Sequence, residues 1–439
     1  MALCQGVACA AAGPFWGNLV DSGVSRKLLL TLGSGSWGMC TLLLGFVSGF
    51  GAMCSLRIMN GFALAMLMPV IQSFIVDLCP KAERGYMFGW LFFFASLGQV
   101  LACLFVTPLS NDVVFGHQGW RFALIVVGLL SWVVMLFIPC MLDEEQRIWK
   151  PERMGVGKEF RKLNRFLRVP TFGVIILQGI FGTIPGAALS FLTMYFQYTG
   201  ISDSMAALIN SLRIIGDACG GLLGGIIGDL MTVHSPAYGR AITAQISILA
   251  SLPFIYLIFM AVPRKESMVG TYAGLLFMHG LTSSWVSPGC ICPVMCDIVP
   301  RRSLASAYAW ELALVFCSGN SIGPLMVGMM SQRLFGYRLS TEQVDDMPPE
   351  DRAQNAKALG KALFFSSALP YAICALLFSL LYFTYSRDCK RAELSEEMAG
   401  SGSSTDGEKS QKPSEHSQLL SRRTLQQATK PVEAGVIWG

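Results

Sequence analysis

Eleven long apolar stretches, separated by short polar loops, run along the chain at 2–20, 28–48, 53–76, 86–107, 121–142, 171–196, 204–230, 240–262, 269–297, 304–330 and 361–385. Crossing a bilayer takes about 20 apolar residues. Backbone amides inside lipid have no water to bond, so each stretch is expected to be a helix. Two segments break the pattern. Residues 143–169 open with Asp143, Glu144 and Glu145 and then turn basic. Within them, KEFRKLNRFLR has the spacing of a short amphipathic helix lying on the membrane surface. From 389 the chain is polar and Ser-rich, the composition of a disordered tail. This gives an N-terminal transmembrane half at 1–142, a cytoplasmic central loop at 143–169, a C-terminal half at 170–388 and a cytoplasmic tail at 389–439.

The two halves repeat each other. DLCPKAERGYMFGW at 77–90 and DIVPRRSLASAYAW at 297–310 match at Asp77 and Asp297, Pro80 and Pro300, Lys81 and Arg301, and Trp90 and Trp310. Each copy lies between two apolar runs. A repeat of this kind implies two parallel halves, an architecture of secondary transporters with the substrate path between them.

Composition sharpens the class. Charged residues are 14% of the chain, against roughly 25% in soluble domains. Lys and Arg concentrate in alternate loops: Arg26 and Lys27, Lys81 and Arg84, the central loop, Arg240, and Arg301 with Arg302. This bias puts those loops in the cytoplasm. It also accounts for most of the +5 net charge, so no nucleic-acid footprint is read from it. Most of the fourteen cysteines lie inside spans, where a thiol acts as a small apolar group. Cys290, Cys292 and Cys296 cluster and are read as packing residues, so no metal or other cofactor is expected. The chain has no Walker loop, no HExxH and no Ser–His–Asp spacing, and the reading is not an enzyme.

Charged motifs mark the loops. In GNLVDSGVSRK, Gly17 permits close helix approach, Asp21 ends a helix, and Arg26 and Lys27 follow a tight turn. A carboxylate there can meet basic groups or the positive end of a neighbouring helix. Gly225, Asp229 and Arg240 repeat this in the second half. Asp229 is expected to matter less than Asp21, because its loop lacks the Arg-Lys pair. With Asp77, Arg84, Asp297 and Arg301, these residues form the candidate conformational latch. A third motif, RIMNG, puts Arg57 and Gly61 early in a span.

G-x-x-x-D with R-K, followed by R-x-x-x-G, resembles the signatures of the major facilitator superfamily, over roughly residues 1–388. The runs RIMNGFALAMLMPVIQSFIVD, ERGYMFGW and HSPAYGR, and the loop beginning RLFGY, resemble its spinster-like branch, of plant and protist type. The resemblance implies two six-helix halves and rocker-switch alternating access. In that family the Gly/Asp loop follows the second of twelve spans. Here one span precedes it, so the family's first helix is expected to be absent from this chain.

Ionisable groups inside a membrane are functional hypotheses by default. Glu311 lies within the span after the second repeat copy, and the equivalent first-half position is Leu91. It is read either as a proton-coupling acid or as a partner of Arg57. Arg213 and Asp217, four apart on one helix, form either a self-neutralising pair or part of the path. His279 either titrates or bonds a backbone carbonyl. Gln99, and more weakly Asn60 and Gln178, complete the path candidates. Trp90, Trp285 and Trp310 are read as packing. So few polar groups suit an amphiphilic or lipid-like cargo, the direction the resemblance also implies. Glu415, Leu419 and Leu420 form an E-x-x-x-L-L pattern of the kind clathrin adaptors read, which would place the protein on endolysosomal or vacuolar membranes rather than the plasma membrane. The alternative reading is a transporter-like sensor or channel.

Overall fold

The computed structural model describes residues 2–109, 113–114, 116–142, 156–339, 344 and 347–404. The first half contains α1 (Ala2–Asp21), α2 (Arg26–Phe46), α3 (Phe50–Leu78), α4 (Arg84–Leu109) and α5 (Gly119–Met141). A two-residue antiparallel ladder, Val113–Val114 with His117–Gln118, lies between α4 and α5. The central helix α6 (Val156–Leu167) leads into the second half. That half contains α7 (Pro170–Ala188), α8 (Leu192–Thr199), α9 (Asp203–His234), α10 (Gly239–Tyr256), α11 (Val269–Ser283), α12 (Cys292–Ile298), α13 (Leu304–Met329) and α14 (Pro349–Phe378), and is followed by α15 (Leu381–Ser404).

Among the described residues, nine helices are long and apolar enough to cross a membrane. Two of the eleven expected stretches are helical without meeting that measure. α1 carries Gln5, Asn18 and Asp21 among many Ala and Gly residues. The stretch at 269–297 is split into α11, a π-helical turn at Ser287–Ile291 and α12. Pro288 and Pro293, which lack an amide hydrogen, fall in the broken region.

α1 packs between α3 and α13, and α4 packs along α9, so two antiparallel seams join the halves. Both seams taper. A methyl group placed on Gly17 would lie 2.7 Å from the Ala305 carbonyl oxygen; on Gly13, 3.3 Å from that of Ala309; on Gly6, 3.8 Å from the Phe316 ring. Along the other seam a methyl on Gly225 would lie 2.1 Å from the Gly85 oxygen, one on Gly89 3.1 Å from that of Gly221, and one on Gly221 3.5 Å from the Phe92 side chain. The halves therefore press together at the end carrying the Lys/Arg-rich loops, called here the basic end, and loosen away from it. Apolar packing closes the same end: Val76 and Phe88 of the first half share a core with Val294, Met295 and Tyr308 of the second. Gln72 Nε2 meets Cys292 Sγ at 3.8 Å, and these residues are 220 positions apart, the offset of the repeat. A residue touching its own repeat partner sits near the axis that relates the halves.

The boundary expected at 388 falls inside α15, which continues to Ser404. Asp388 is buried there, and its Oδ2 accepts from the Thr171 amide at 2.9 Å at the start of α7. The tail motif Glu415, Leu419 and Leu420, and the acidic opening of the central loop, lie outside the described residues.

Candidate functional site

The basic end is held by two reciprocal helix caps. Asp21, the last residue of α1, crosses to the second half. Its Oδ1 accepts from the Ala305 amide at 3.2 Å and its Oδ2 from the Ser306 amide at 3.0 Å, both in the first turn of α13. Asp229, near the end of α9, crosses the other way and accepts from the Gly85 amide at 3.1 Å and the Tyr86 amide at 2.8 Å, in the first turn of α4. First-turn amides have no partner within their helix, and the helix dipole favours an anion there. Gly17 and Gly225, one turn before each acid, let the backbones come close enough for these bonds.

Each acid also has a basic group nearby. Arg26 does not reach Asp21. It pairs with Asp77 inside its own half and donates to the Ser73 carbonyl at 3.0 Å. Asp21 instead meets Lys162 of α6 at 3.9 Å. Asp229 has the closer cation, Arg240 at 2.6 Å, and Arg240 also donates to the Gly289 carbonyl at 3.2 Å. The weaker role expected for Asp229 is therefore corrected, because its cap is at least as well satisfied as that of Asp21. Lys27 lies in the first turn of α2, and Arg301 in the 3₁₀ turn before α13.

Both repeated aspartates meet basic groups. Asp77 pairs with Arg26 of its own half. Asp297 faces across, with Arg84 at 3.4 Å, Lys81 at 3.6 Å and the Tyr385 hydroxyl of α15 at 2.7 Å. The sequence reading missed Lys162 and Tyr385. Lys162 stood in a basic run with no marker of its own, and Tyr385 lay at the edge of an apolar stretch.

The path candidates do not converge on one point. Arg57 Nη1 donates to Gln5 Oε1 at 3.0 Å, not to Glu311, so the Arg57–Glu311 pairing is set aside. Gln5 continues to Asn60 at 2.8 Å, and Asn60 to Thr41 at 2.8 Å. Glu311 is half-buried on α13, two turns from its start. Gln99 is exposed on α4. Gln178 is buried on α7 and donates to the Ile175 carbonyl. Arg213 and Asp217 pair on α9 at 2.6 Å. His279 is buried on α11 with neither ring nitrogen hydrogen-bonded, so the carbonyl bond considered for it is not formed. Its ring centroid is 6.4 Å from that of Tyr371. Trp310 packs on Phe160, and Trp90 on Phe94. Trp285 donates to the Leu281 carbonyl. No His, Cys, Asp and Glu grouping suited to a metal occurs among the described residues.

One consequence concerns stability. Removing one member of a mostly buried ion pair strands the other charge, at a cost of about 3 kcal/mol. Arg213→Leu is expected to lower the melting temperature of the purified protein clearly, and Arg213→Leu with Asp217→Leu to restore most of the loss. Equal losses in the single and double variants would show that the pair contributes through packing alone.

The family model described as Major Facilitator Superfamily matches residues 1–199. A probable sulfoacetate transporter of Cupriavidus necator is 23% identical over 354 residues, covering 76% of this chain and 76% of its own length. The putative glycerol-3-phosphate transporter 3 of Arabidopsis thaliana is 23% identical over 363 residues, covering 73% of this chain and 68% of its own. Among solved structures, a bacterial homolog of the human lysosomal transporter Spinster, in an inward-facing and unoccupied conformation, superposes with a TM-score of 0.60 at 19% identity, covering 88% of this chain and 95% of that one. The chain thus resembles the Major Facilitator Superfamily in sequence over residues 1–199, shares the fold of the Spinster homolog over most of its length, and is an integral multi-pass membrane protein.

Proposed function

We propose that this protein is a secondary active transporter that works by alternating access, rocking its halves about the α1–α13 and α4–α9 seams. The observation that carries this reading is the pair of reciprocal caps. Each acid accepts backbone amides of the opposite half, so both caps break together when the basic end opens, and both are remade when it closes. The tapering seams describe a state closed at that end. The basic end faces the cytoplasm in this reading, supported by its Lys and Arg loops.

Proton coupling through Glu311 is part of the proposal. So is an amphiphilic cargo, supported by the scarcity of polar groups along the spans. Arg57, whose hydrogen bond goes to neutral Gln5, favours a cargo with an anionic group. The named relatives, a probable sulfoacetate transporter and a putative glycerol-3-phosphate transporter, agree with that choice.

The test is uptake by the reconstituted protein, with a panel of lysophospholipids and small organic anions as cargo. Accumulation against a gradient separates a transporter from a channel, and signalling without flux would support a sensor. Hydrogen bonds to a charged group contribute about 1.5–3 kcal/mol, enough to shift the closed-to-open ratio tenfold or more. Asp21→Asn and Asp229→Asn are each expected to cut the uptake rate severalfold at unchanged membrane level. Normal turnover in both variants would sink the latch.

A further inference from the structure

α6 has two different faces. Its inner face joins the halves. Lys162 Nζ lies 3.1 Å from Asn18 Oδ1 on α1 and 3.3 Å from Ser306 Oγ on α13, and it pairs with Glu159 at 2.9 Å. Phe166 is buried with its ring 5.5 Å from that of Phe172. The outer face carries Arg161, Arg165 and, one residue past the helix, Arg168, all exposed. Phe160 and Leu167 stand beside them, 60% and 48% exposed. Among the described residues no carboxylate pairs with these three arginines; Arg161 Nε donates to the Gly157 carbonyl. Two residues after Arg168 the chain enters α7 at Pro170, so the cations sit where a spanning helix meets its membrane interface.

We propose that the outer face of α6 binds the anionic phospholipid headgroups of the adjoining leaflet, and that this binding holds Lys162 across the α1–α13 seam and favours closure of the basic end. Charge complementarity selects the partner. Three guanidinium groups can each take two phosphate or carboxylate oxygens. Exposed apolar side chains beside them suit the boundary between headgroups and acyl chains, as for other interfacial helices. A soluble acidic partner would match the arginines and leave Phe160 and Leu167 in water. The inference rests on the proposed closure of the basic end but needs neither the cargo nor its coupling.

The experiment compares amide hydrogen exchange of the full chain in nanodiscs of phosphatidylcholine alone and of phosphatidylcholine with phosphatidylserine. Both leaflets are anionic in the second disc, so an error in the assigned orientation does not affect the result. In the anionic discs, peptides covering 156–168 and 305–306 are expected to exchange about tenfold more slowly, well within what three basic side chains near an anionic surface supply. Arg161→Gln, Arg165→Gln and Arg168→Gln together should abolish the difference, and the three Lys replacements should keep most of it. Slower exchange at 156–168 alone would retain the lipid site and overturn its link to closure. Equal exchange of the wild-type protein in both discs, or a difference that survives the triple Gln variant, overturns the proposal itself and leaves these arginines to a different partner.

Discussion

Gly225→Leu is expected to give a protein that reaches the membrane and cannot close its basic end. Even a methyl group at this position would sit 2.1 Å from the Gly85 carbonyl oxygen. The obstacle is backbone, so no side-chain rotation relieves it. α9 must move away from α4, and that motion pulls Asp229 from the Gly85 and Tyr86 amides it caps. Overpacking of a close contact costs about 1–3 kcal/mol even where neighbours adjust, and rigid neighbours raise that figure. Uptake should fall to background. Distances between labels on the ends of α3 and α9 at the basic end should report only a separated population. The control is Gly98→Leu, farther along α4, where a methyl meets nothing within 4 Å, which should leave uptake near normal. If Gly225→Leu still populates the short distance, the glycine contact is not what sets closure.

Glu311→Gln is expected to abolish accumulation driven by an imposed proton gradient while sparing exchange of cargo for cargo. A carboxylate within a span is costly when charged, and taking a proton removes that cost. It is half-buried on α13, a helix that packs against α1 and α3 of the first half. Among the described residues no hydrogen bond or ion pair is formed by its carboxylate, unlike those of Asp21, Asp229 and Asp297. Glutamine keeps the size and polarity and removes the titration. The measurement is radiolabelled uptake into vesicles with the lumen alkaline or acid relative to outside, compared with uptake at equal pH. A variant that still concentrates cargo on a proton gradient would move the coupling site elsewhere, with buried His279 the next group to replace.

Which parts of this arrangement were legible in the sequence follows from how local each signal was. Arg213 and Asp217 are four residues apart on one helix, so helical geometry alone brings them together. Asp21 and Asp229 were recognisable as helix-end acids after a glycine, but their partners were not. The amides they cap lie in the other half, 284 and 144 residues away, and an amide has no side-chain identity to read. Arg26, close to Asp21 in the chain, opens the next helix and turns to Asp77. The eleven apolar stretches and the nine helices that meet the length and hydropathy measure differ where composition and continuity part company. The 269–297 stretch is apolar throughout, and only its prolines mark the break between α11 and α12. The apolar pattern stops near residue 385 while the helical backbone of α15 continues on polar residues to Ser404, which a bilayer-length measure does not detect.

The contact between Gln72 and Cys292 has a consequence for how such a chain can vary. In an exact duplicate, a position on the relating axis faces a copy of itself, so any replacement changes both sides of the contact at once. Only side chains that complement themselves fit there; two amides can pair, and two thiols bond poorly. Gln72 against Cys292, an amide donor over a polarisable sulfur, is a match of unlike groups that strict symmetry forbids. Each side of this joint is free to be tuned alone, and a replacement at either one alters a single partner at the place where the halves have least room to drift apart.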